Sequence, residues 1–328
     1  MQLQLRRERS CYARGARCAW SNPTLQERDV KIGIAGTGRM GTAIALRLLD
    51  KGHQVTVWNR TRDKTVSAAR AGAAVAASPA ALARTSDKVI SFLTNAPAMQ
   101  AVYSGPDGLL SVDLRAKLLI DMSTVRGGEH RALERKVQAR GGLFLECPVS
   151  GTVQPARDGK LVGFAGGTID AFAKALPLLL QLCRRAELIG PVGAGASMKL
   201  AANLLLTAFW QALAEACGLM RAVPMAPEKL IDLFADTNIG AGMLKTRGAL
   251  VAAALKGEPA GAASFDIDFM RKDLREMLQE AAALGMSLPV AARTLDCFDE
   301  AASVGAGKID ATQYPAWWLA RTRQAERA

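Results

Sequence analysis

Three closely spaced glycines carry the most specific chemical signal in this chain. They follow a short apolar segment, precede a stretch with helical spacing, and have the order G-x-G-x-x-G. In such a turn the first glycine permits a tight bend, the second lets a pyrophosphate approach the backbone, and the third lets the helix pack closely on the strand. We therefore predict that a dinucleotide binds at the six residues of this turn, which are Gly36, Thr37, Gly38, Arg39, Met40 and Gly41.

The residues after the second predicted strand bear on which dinucleotide binds. An NAD-dependent enzyme usually places an acidic residue about 20 positions after the glycine turn, where it binds the ribose 2′-hydroxyl. This chain has Asn59, Arg60 and Thr61 there instead. The guanidinium of Arg60 can pair with a 2′-phosphate, assisted by the other two side chains, although Arg60 and Thr61 can also simply begin the next helix in solvent. We expect NADP as the cofactor, with NAD as the second choice.

A lysine on a nearly apolar helix is the candidate for proton transfer. Reduction of a carbonyl requires a hydride on one face and a proton for the developing alkoxide, and an ammonium can supply that proton. Lys199 precedes Asn203 by four residues, so the two side chains share one helix face and the amide can orient the ammonium or the substrate. The alternative is a lysine that merely extends its charge to the surface. We predict that Lys199 and Asn203 are catalytic.

Short polar residues follow several of the predicted strands. Ser150, Gly151 and Thr152 form a turn after one strand, where hydroxyl and backbone N–H groups can hold a substrate carboxylate, unless the segment is only a tight turn. Thr94 and Thr124 end two other strands at the edge where parallel sheets bind ligands, although they can equally cap helices. We predict that the first three residues bind substrate and that Thr94 and Thr124 bind the cofactor.

Together these motifs resemble the β-hydroxyacid dehydrogenase family over residues 30 to 302. The glycine turn is followed, in the order typical of the family, by DMST at residues 121–124, PVSG at residues 148–151 and GxGxxxKxxxN at residues 193–203. The resemblance implies an NAD(P)-dependent hydride transfer between the cofactor and a small semialdehyde, 2-oxo acid or hydroxy acid that carries a carboxylate. It also implies that Lys199 is the general acid and base.

The resemblance implies roles for further residues. A fifth match is Phe265 followed by Lys272 and Asp273. In the family the phenylalanine lines the pocket, the lysine reaches from the helical domain to the cofactor and substrate, and the aspartate belongs to the substrate site, so domain closure completes the site. Thr124 matches a cofactor contact. Thr152 departs from the family pattern, in which a second glycine is common, and we expect it to narrow the pocket.

The elements that must position these residues change character along the chain. Seven apolar strands alternate with helices up to about residue 190, which is typical of α/β proteins with a doubly wound, mostly parallel Rossmann-type sheet. From a long apolar helix starting at Ser197 onwards, the pattern is helical. We predict a disordered or wrongly assigned basic extension at 1–28, an NADP-binding domain at 29–192 and an all-α domain at 193–328. The predicted strands are 31–35, 54–58, 88–92, 117–121, 143–146, 161–165 and 186–189.

Composition narrows the remaining functions. The chain of 328 residues has a net charge of +12. Residues 1–28 contain six Arg and two Glu, so these residues alone contribute +4 of this charge. The rest is dispersed, so we expect no nucleic-acid partner. Six scattered Cys and two distant His lack metal-ligand spacing, and we expect no metal site and a reducing, cytoplasmic location. No uninterrupted apolar run reaches about 18 residues, so we expect no membrane span.

Other functions stay open at this point. An imine reductase shares the fold and cofactor but usually lacks the proton-donating lysine of this helix. A catalytically silent binding module, by analogy with chromatin-associated members of the family, would have no need of Lys199 and Asn203. We further expect a homodimer or homotetramer assembled through the helical domain, since the family commonly assembles in this way.

Overall fold

The computed structural model describes residues 30–220, 223–237, 241–258 and 263–325. The extension predicted at residues 1–28 lies outside these ranges. The described residues form one mixed sheet followed by a group of helices. The strands are β1 (Ile32–Ala35), β2 (Val55–Trp58), β3 (Ala74–Val75), β4 (Lys88–Ser91), β5 (Leu118–Asp121), β6 (Leu143–Glu146), β7 (Val149–Ser150), β8 (Leu161–Gly167) and β9 (Cys183–Gly190).

Most strands of the sheet are parallel. Six of them lie in the order β3-β2-β1-β4-β5-β6, all parallel to their neighbours. This is the strand order of a dinucleotide-binding fold, in which ligands bind at the crevice beside β1 and β4, where the strand order reverses. β8 pairs antiparallel with β6 and β7, and β9 pairs parallel with β8. The structure confirms the predicted doubly wound, mostly parallel sheet.

Successive residues of a strand point to opposite sides of the sheet, so apolar side chains lie on both faces. Helices cover both of these faces. Ile34 and Ile90 belong to a core on one face, and Val89 and Leu119 belong to a core on the other. The helices of this half are α1 (Arg39–Asp50), α2 (Val66–Arg70), α3 (Pro79–Thr85), α4 (Ala96–Ser104), α5 (Gly127–Ala139), α6 (Val153–Asp158) and α7 (Ile169–Leu182).

The sequence pattern misses four short elements, β3, β7, α3 and α6. The two strands have two residues each, too few for the alternation that marks a strand. α3 begins with the Ser78-Pro79 signal of a helix start, and the Ser78 hydroxyl accepts the Ala81 N–H at 3.1 Å, so this element was detectable. β9 extends beyond the predicted 186–189 because it pairs with β8 from Leu161 onwards.

The second half of the chain has a helical core of its own. Its helices are α8 (Ala194–Leu219), α9 (Pro227–Asp236), α10 (Ala241–Leu255), α11 (Ile267–Ala283), α12 (Pro289–Ser303) and α13 (Tyr314–Ala325). α8 runs through the middle, in contact with α11, α12 and α13 and also with β8. Trp210 and Leu213 of α8 share the core with Leu274, Phe298 and Tyr314. α8 therefore joins the two halves of the molecule.

By length and composition alone, α8 is apolar enough to cross a membrane. Its interior nevertheless buries two polar side chains that have partners on neighbouring helices. The Asn203 amide donates to Asp273 Oδ2 at 2.6 Å, and Gln211 Oε1 accepts a hydrogen bond from the Tyr314 hydroxyl at 2.7 Å. A helix whose polar groups are satisfied in this way is typical of the core of a folded domain.

A fully buried charged cluster stabilises the sheet side of this junction. His130 of α5 lies between Asp121, which ends β5, and Glu146, which ends β6. The distances are 2.9 Å from Nε2 to Asp121 Oδ1 and 2.6 Å from Nδ1 to Glu146 Oε2. Burial alone lowers the pKa of a histidine, but the contacts with both carboxylates outweigh it and raise the pKa of His130 to about 9. His130 is thus an imidazolium at neutral pH.

Glu146 also holds the first turn of α8. Its Oε1 accepts the backbone N–H groups of Gly193, Gly195 and Ala196 at 2.7, 2.8 and 3.2 Å. The first N–H groups of a helix have no partner within the helix, and a carboxylate at this end also interacts favourably with the helix dipole. This contact explains why α8 begins at Ala194, before the predicted start at Ser197.

We predict that His130→Gln makes the free energy of unfolding depend less on pH. The pKa of His130 lies above its ordinary value of 6.5, so the stabilisation by the charged ring is complete below about pH 6.5 and is lost as the pH rises through about 9. Urea unfolding at about pH 6 and about pH 10 should show the stability difference between wild type and variant shrinking by about 3 kcal/mol. A constant difference would contradict a charged His130.

Candidate active site

A cavity of about 390 Å³ opens between the carboxyl ends of the strands and the helical half. Small-molecule sites typically have volumes of about 300 to 1,000 Å³. Six predicted residues lie off its wall, at the glycine turn and the end of β2: Gly36, Thr37, Gly41, Asn59, Arg60 and Thr61. The others line it: Gly38, Arg39, Met40, Thr94, Thr124, Ser150, Gly151, Thr152, Lys199, Asn203, Phe265, Lys272 and Asp273.

The glycine turn has the geometry that a bound pyrophosphate needs. Gly36 has a φ of +99°, and a side chain there would collide with the Phe92 carbonyl, while one at Gly41 would collide with the Gly36 carbonyl. A Cβ at Gly38 would meet no protein atom within 4 Å, so the fold itself does not require this glycine. The buried Thr37 hydroxyl has no partner among the described residues. Open backbone and an unpaired hydroxyl at a helix start fit a dinucleotide.

The end of β2 is tied to this turn by an amide. Asn59 Oδ1 accepts the Thr37 N–H at 3.1 Å, and Asn59 Nδ2 donates to the Thr61 carbonyl at 2.9 Å. Asn59 therefore positions the turn, a role that its place in the sequence does not reveal. Arg60 beside it is exposed. Its guanidinium pairs with no carboxylate in the described part of the chain.

Arg39 and Met40 extend the wall from the turn towards the helical half. The Arg39 guanidinium lies 5.5 Å from the centre of the Phe269 ring, and one of its nitrogens is 3.5 Å from Asp266 Oδ2. Both partners belong to the start of α11. The turn that is predicted to bind the cofactor is thus in direct contact with the second half of the molecule.

Lys272 extends from α11 in the helical half to the strand ends of the first half. Its ammonium donates to the Thr124 carbonyl at 2.9 Å and lies 3.5 Å from the Thr94 carbonyl. The two threonines thus offer backbone oxygens to α11 at the strand ends. The same ammonium is 2.7 Å from Asp273 Oδ1. Lys272 therefore lies where the predicted cofactor and substrate sites meet.

The candidate catalytic pair lies on α8 beside this ion pair. Asn203 donates to Asp273 Oδ2 at 2.6 Å, and Lys272 occupies the other carboxylate oxygen. The buried Asp273 therefore orients Asn203 and Lys272 through both of its oxygens. Lys199 lies one helical turn before Asn203, and both line the cavity.

Burial makes Lys199 a better proton donor than an exposed lysine. It lowers the pKa of Lys199 from 10.5 to about 8, because removal from water disfavours the ammonium. The negative charge of Asp273 opposes this shift, and the positive charge of Lys272 adds to it. An amine with a pKa near the working pH can both donate and accept a proton.

The segment predicted to bind the substrate anion begins in a strand. Ser150 lies in β7 and not in the predicted turn, because it pairs with Val162 of β8. Gly151 has a φ of +131°, and a Cβ there would lie 2.6 Å from Leu161 Cδ2, so the position requires glycine. The Thr152 side chain makes no cap bond at the start of α6, although this residue lines the cavity.

Part of the cavity wall is formed by large apolar side chains. Phe265 is joined there by Leu206, Trp210 and Met243. Sequence reasoning missed the last three. Leu206 and Trp210 follow Asn203 by three and seven residues, which places all three on one helix face, so this spacing could have identified them. No local signal marks Met243.

Two family models together match most of the chain. The NAD binding domain of 6-phosphogluconate dehydrogenase matches residues 31–190, and the NAD-binding model of NADP-dependent 3-hydroxyisobutyrate dehydrogenase matches residues 193–317. Glyoxylate/succinic semialdehyde reductase 1 of Arabidopsis thaliana is 31% identical over 281 residues, which are 86% of this chain and 96% of the relative. The chain belongs to the β-hydroxyacid dehydrogenase family.

Two further proteins are similar to this chain. Cytokine-like nuclear factor N-PAC of Homo sapiens is 30% identical over 85% of this chain but only 50% of its own length. The structure of Psf3 in complex with NADP+ and 2-OPP has a TM-score of 0.78 and 27% identity, and covers 87% of this chain and 99% of that one. The matches confirm the expectation of an NAD(P)-dependent oxidoreductase of the hydroxyacid dehydrogenase type.

We predict that Lys199→Met lowers turnover by about 10² to 10⁴-fold, the usual contribution of a general acid. Affinity for NADPH should stay nearly unchanged, because methionine keeps the length of the side chain and removes only the ammonium. Steady-state oxidation of the reduced cofactor with a small carbonyl acid measures turnover, and titration of the free protein with the cofactor measures affinity. Lys174→Met is the matched control, since the Lys174 side chain is 55% exposed on α7. Full turnover by Lys199→Met would exclude Lys199 as the proton donor.

Proposed function

We propose that this chain reduces a small semialdehyde or 2-oxo acid with NADPH, using Lys199 as the general acid. The main support for this proposal is that Lys199, Asn203 and the segment 150–152 line one cavity together with the glycine turn. Oxidation of the corresponding hydroxy acid is the reverse reaction, in which the same amine accepts the proton. The lysine on the cavity wall favours this function over an imine reductase or a silent binding module.

The segment 150–152 is the proposed site for the substrate carboxylate. It presents the Ser150 and Thr152 side chains beside backbone N–H groups, which suits an anion. A carboxylate there leaves the reacting carbonyl between this segment and α8. Thr152 takes space on the same wall, which favours a short substrate.

Proton transfer is the task of α8 and α11. The bound nicotinamide supplies the hydride. Lys199 donates its proton from Nζ to the carbonyl oxygen as negative charge develops there, which stabilises that charge and completes the alcohol. Asp273 holds Asn203 and Lys272 in place on the same wall. The apolar wall around Trp210 excludes water from the reacting groups.

The preference for NADP is proposed from Arg60. Its exposed guanidinium at the end of β2 suits a ribose 2′-phosphate, since the fork of N–H groups matches phosphate oxygens. The relative Psf3 was solved with NADP+. The substrate class is supported by the similarity to a glyoxylate/succinic semialdehyde reductase.

We also propose a homodimer or homotetramer, without a nucleic-acid partner or membrane anchor, in the cytoplasm. α8 exposes apolar side chains that a second copy can cover. Leu205 is 75% exposed and Met198 is 41% exposed. The dispersed positive charge supports the absence of a nucleic-acid partner, and the bonded polar residues within α8 support the absence of a membrane anchor. The scattered cysteines support a reducing, cytoplasmic location.

A panel of carbonyl compounds tests the substrate class. NADPH oxidation is followed with glyoxylate, succinic semialdehyde and tartronate semialdehyde, and 3-hydroxyisobutyrate is tested with NADP+ in the reverse direction. Propanal and butanal are the matched controls because they lack the carboxylate. We expect at least one acid to be turned over with a higher kcat/KM than both controls. Faster turnover of a cyclic imine, or no preference for acids, would contradict the proposed function.

We predict that Arg60→Asp shifts cofactor preference from NADPH towards NADH. Loss of a charge-assisted contact with a phosphate should lower kcat/KM for NADPH by about 10- to 100-fold, while the new carboxylate can accept the 2′-hydroxyl of NADH. Kinetics with both cofactors measure the ratio. Arg62→Asp, in the exposed turn that follows, is the control. Equal loss with both cofactors would mean that Arg60 does not contact the 2′-phosphate.

A further inference from the structure

The apolar wall of the cavity contains a cation that the proposed function does not use. Arg247 of α10 lines the cavity one helical turn after Met243, so the two side chains share a helix face. The Arg247 side chain is only 20% exposed. A charge kept from water in this way is unfavourable unless oxygen atoms receive its hydrogen bonds.

The protein partners of Arg247 leave part of its hydrogen-bonding capacity unused. One nitrogen donates to the Ser264 hydroxyl at 2.8 Å, and another lies 3.5 Å from Asp310 Oδ1. A guanidinium has five N–H donors in a rigid fork. One good bond and one long contact occupy only part of this fork.

The Asp310 carboxylate has enough hydrogen-bond donors without Arg247. Its oxygens accept five other hydrogen bonds, from backbone N–H and hydroxyl groups of Ser264, Phe265 and Thr312, at 2.7 to 3.2 Å. A carboxylate with so many donors is satisfied without an arginine. A purely structural ion pair therefore does not explain why Arg247 is placed on the cavity wall.

The charges of the cavity wall indicate what Arg247 binds. Among the described residues, five charged side chains line the cavity: four are cations, and the fifth is Asp273, which is paired with Lys272. Arg39 lies at the glycine turn, where a dinucleotide brings its own negative charge. Lys199 and Arg247 are the cations left for a substrate, one on α8 and the other on α10.

We propose that the natural substrate is a dicarboxylic oxo acid, with one carboxylate at segment 150–152 and the second at the guanidinium of Arg247. The inference rests on the proposed function, whose substrate class it narrows. The apolar side chains of Leu206, Trp210 and Met243 suit the short carbon chain between the two charged ends. Arg247 thus determines specificity, while the proton donor remains Lys199.

Matched acids test this proposal by turnover. 2-Oxoglutarate and 2-oxopentanoate have the same carbon chain and differ only in the terminal carboxylate, and oxaloacetate and 2-oxobutanoate form a shorter pair. In the wild type, kcat/KM should favour the dicarboxylate of at least one pair by about 10- to 100-fold, the range expected of a charged hydrogen bond. Arg247→Met should abolish this ratio, because kcat/KM for the dicarboxylate should fall by about 10- to 100-fold more than kcat/KM for the monocarboxylate. Arg293→Met, at a 78% exposed position on α12, should retain the ratio.

Two results overturn the proposal: a wild type that shows no preference within either pair, and an Arg247→Met variant that loses activity equally with both members. Thermal melting checks that the variant is folded. If it is not, Arg247→Gln replaces it with the same expected result, because glutamine can keep the bond to Ser264.

A binding measurement separates this proposal from the proposed function. Calorimetry on the protein loaded with NADP+ compares glutarate with pentanoate, neither of which reacts. Binding of glutarate that is stronger than that of pentanoate and is lost in Arg247→Met supports the second carboxylate site even if no oxo acid is reduced. Equal glutarate binding by wild type and variant overturns it, even if a monocarboxylic aldehyde is a good substrate.

Discussion

The position of Lys199, the proposed proton donor, depends on one buried carboxylate. Glu146 ends a strand of the sheet and accepts three backbone N–H groups from the first turn of α8. Because α8 carries Lys199 and Asn203, this contact determines where both lie relative to the strand ends. His130 neutralises Glu146 and also contacts Asp121, so the helix start and the end of β5 belong to one charged cluster. A rigid junction of this kind holds a catalytic group in register with a bound cofactor.

The chemistry of Lys199 follows from its place between the two halves of the molecule. Burial lowers the pKa of Lys199 to about 8, and Asp273 limits this effect while it orients Asn203. The ammonium of Lys272 crosses to the Thr124 carbonyl at the strand ends. Contact between the halves therefore creates both the cavity and the low-dielectric surroundings that tune its lysine. Opening that contact would expose Lys199 to water and return its pKa towards that of an ordinary lysine.

The sequence predicts those parts of the site whose residues lie close together in the chain, within one helix, strand or turn. The G-x-G-x-x-G turn and the pair at Lys199 and Asn203 lie within single elements, as do the alternating strands. The roles of His130, Glu146 and Arg247 depend on partners on other elements, at sequence separations that no local pattern records. The charge of Glu146 at the end of an apolar strand was a visible irregularity. What it binds was not, because the first turn of α8 is brought to it only by the fold.

The pKa of Lys199 is the quantity on which the proposed proton transfer depends most directly. Competitive labelling of lysines over a range of pH, followed by peptide mass spectrometry, measures the pKa of this amine in the protein without added cofactor. Fully exposed lysines in the same sample provide the internal reference. We expect Lys199 to titrate at about 8. Titration near the ordinary value of 10.5 would contradict a buried amine poised to give its proton to the substrate.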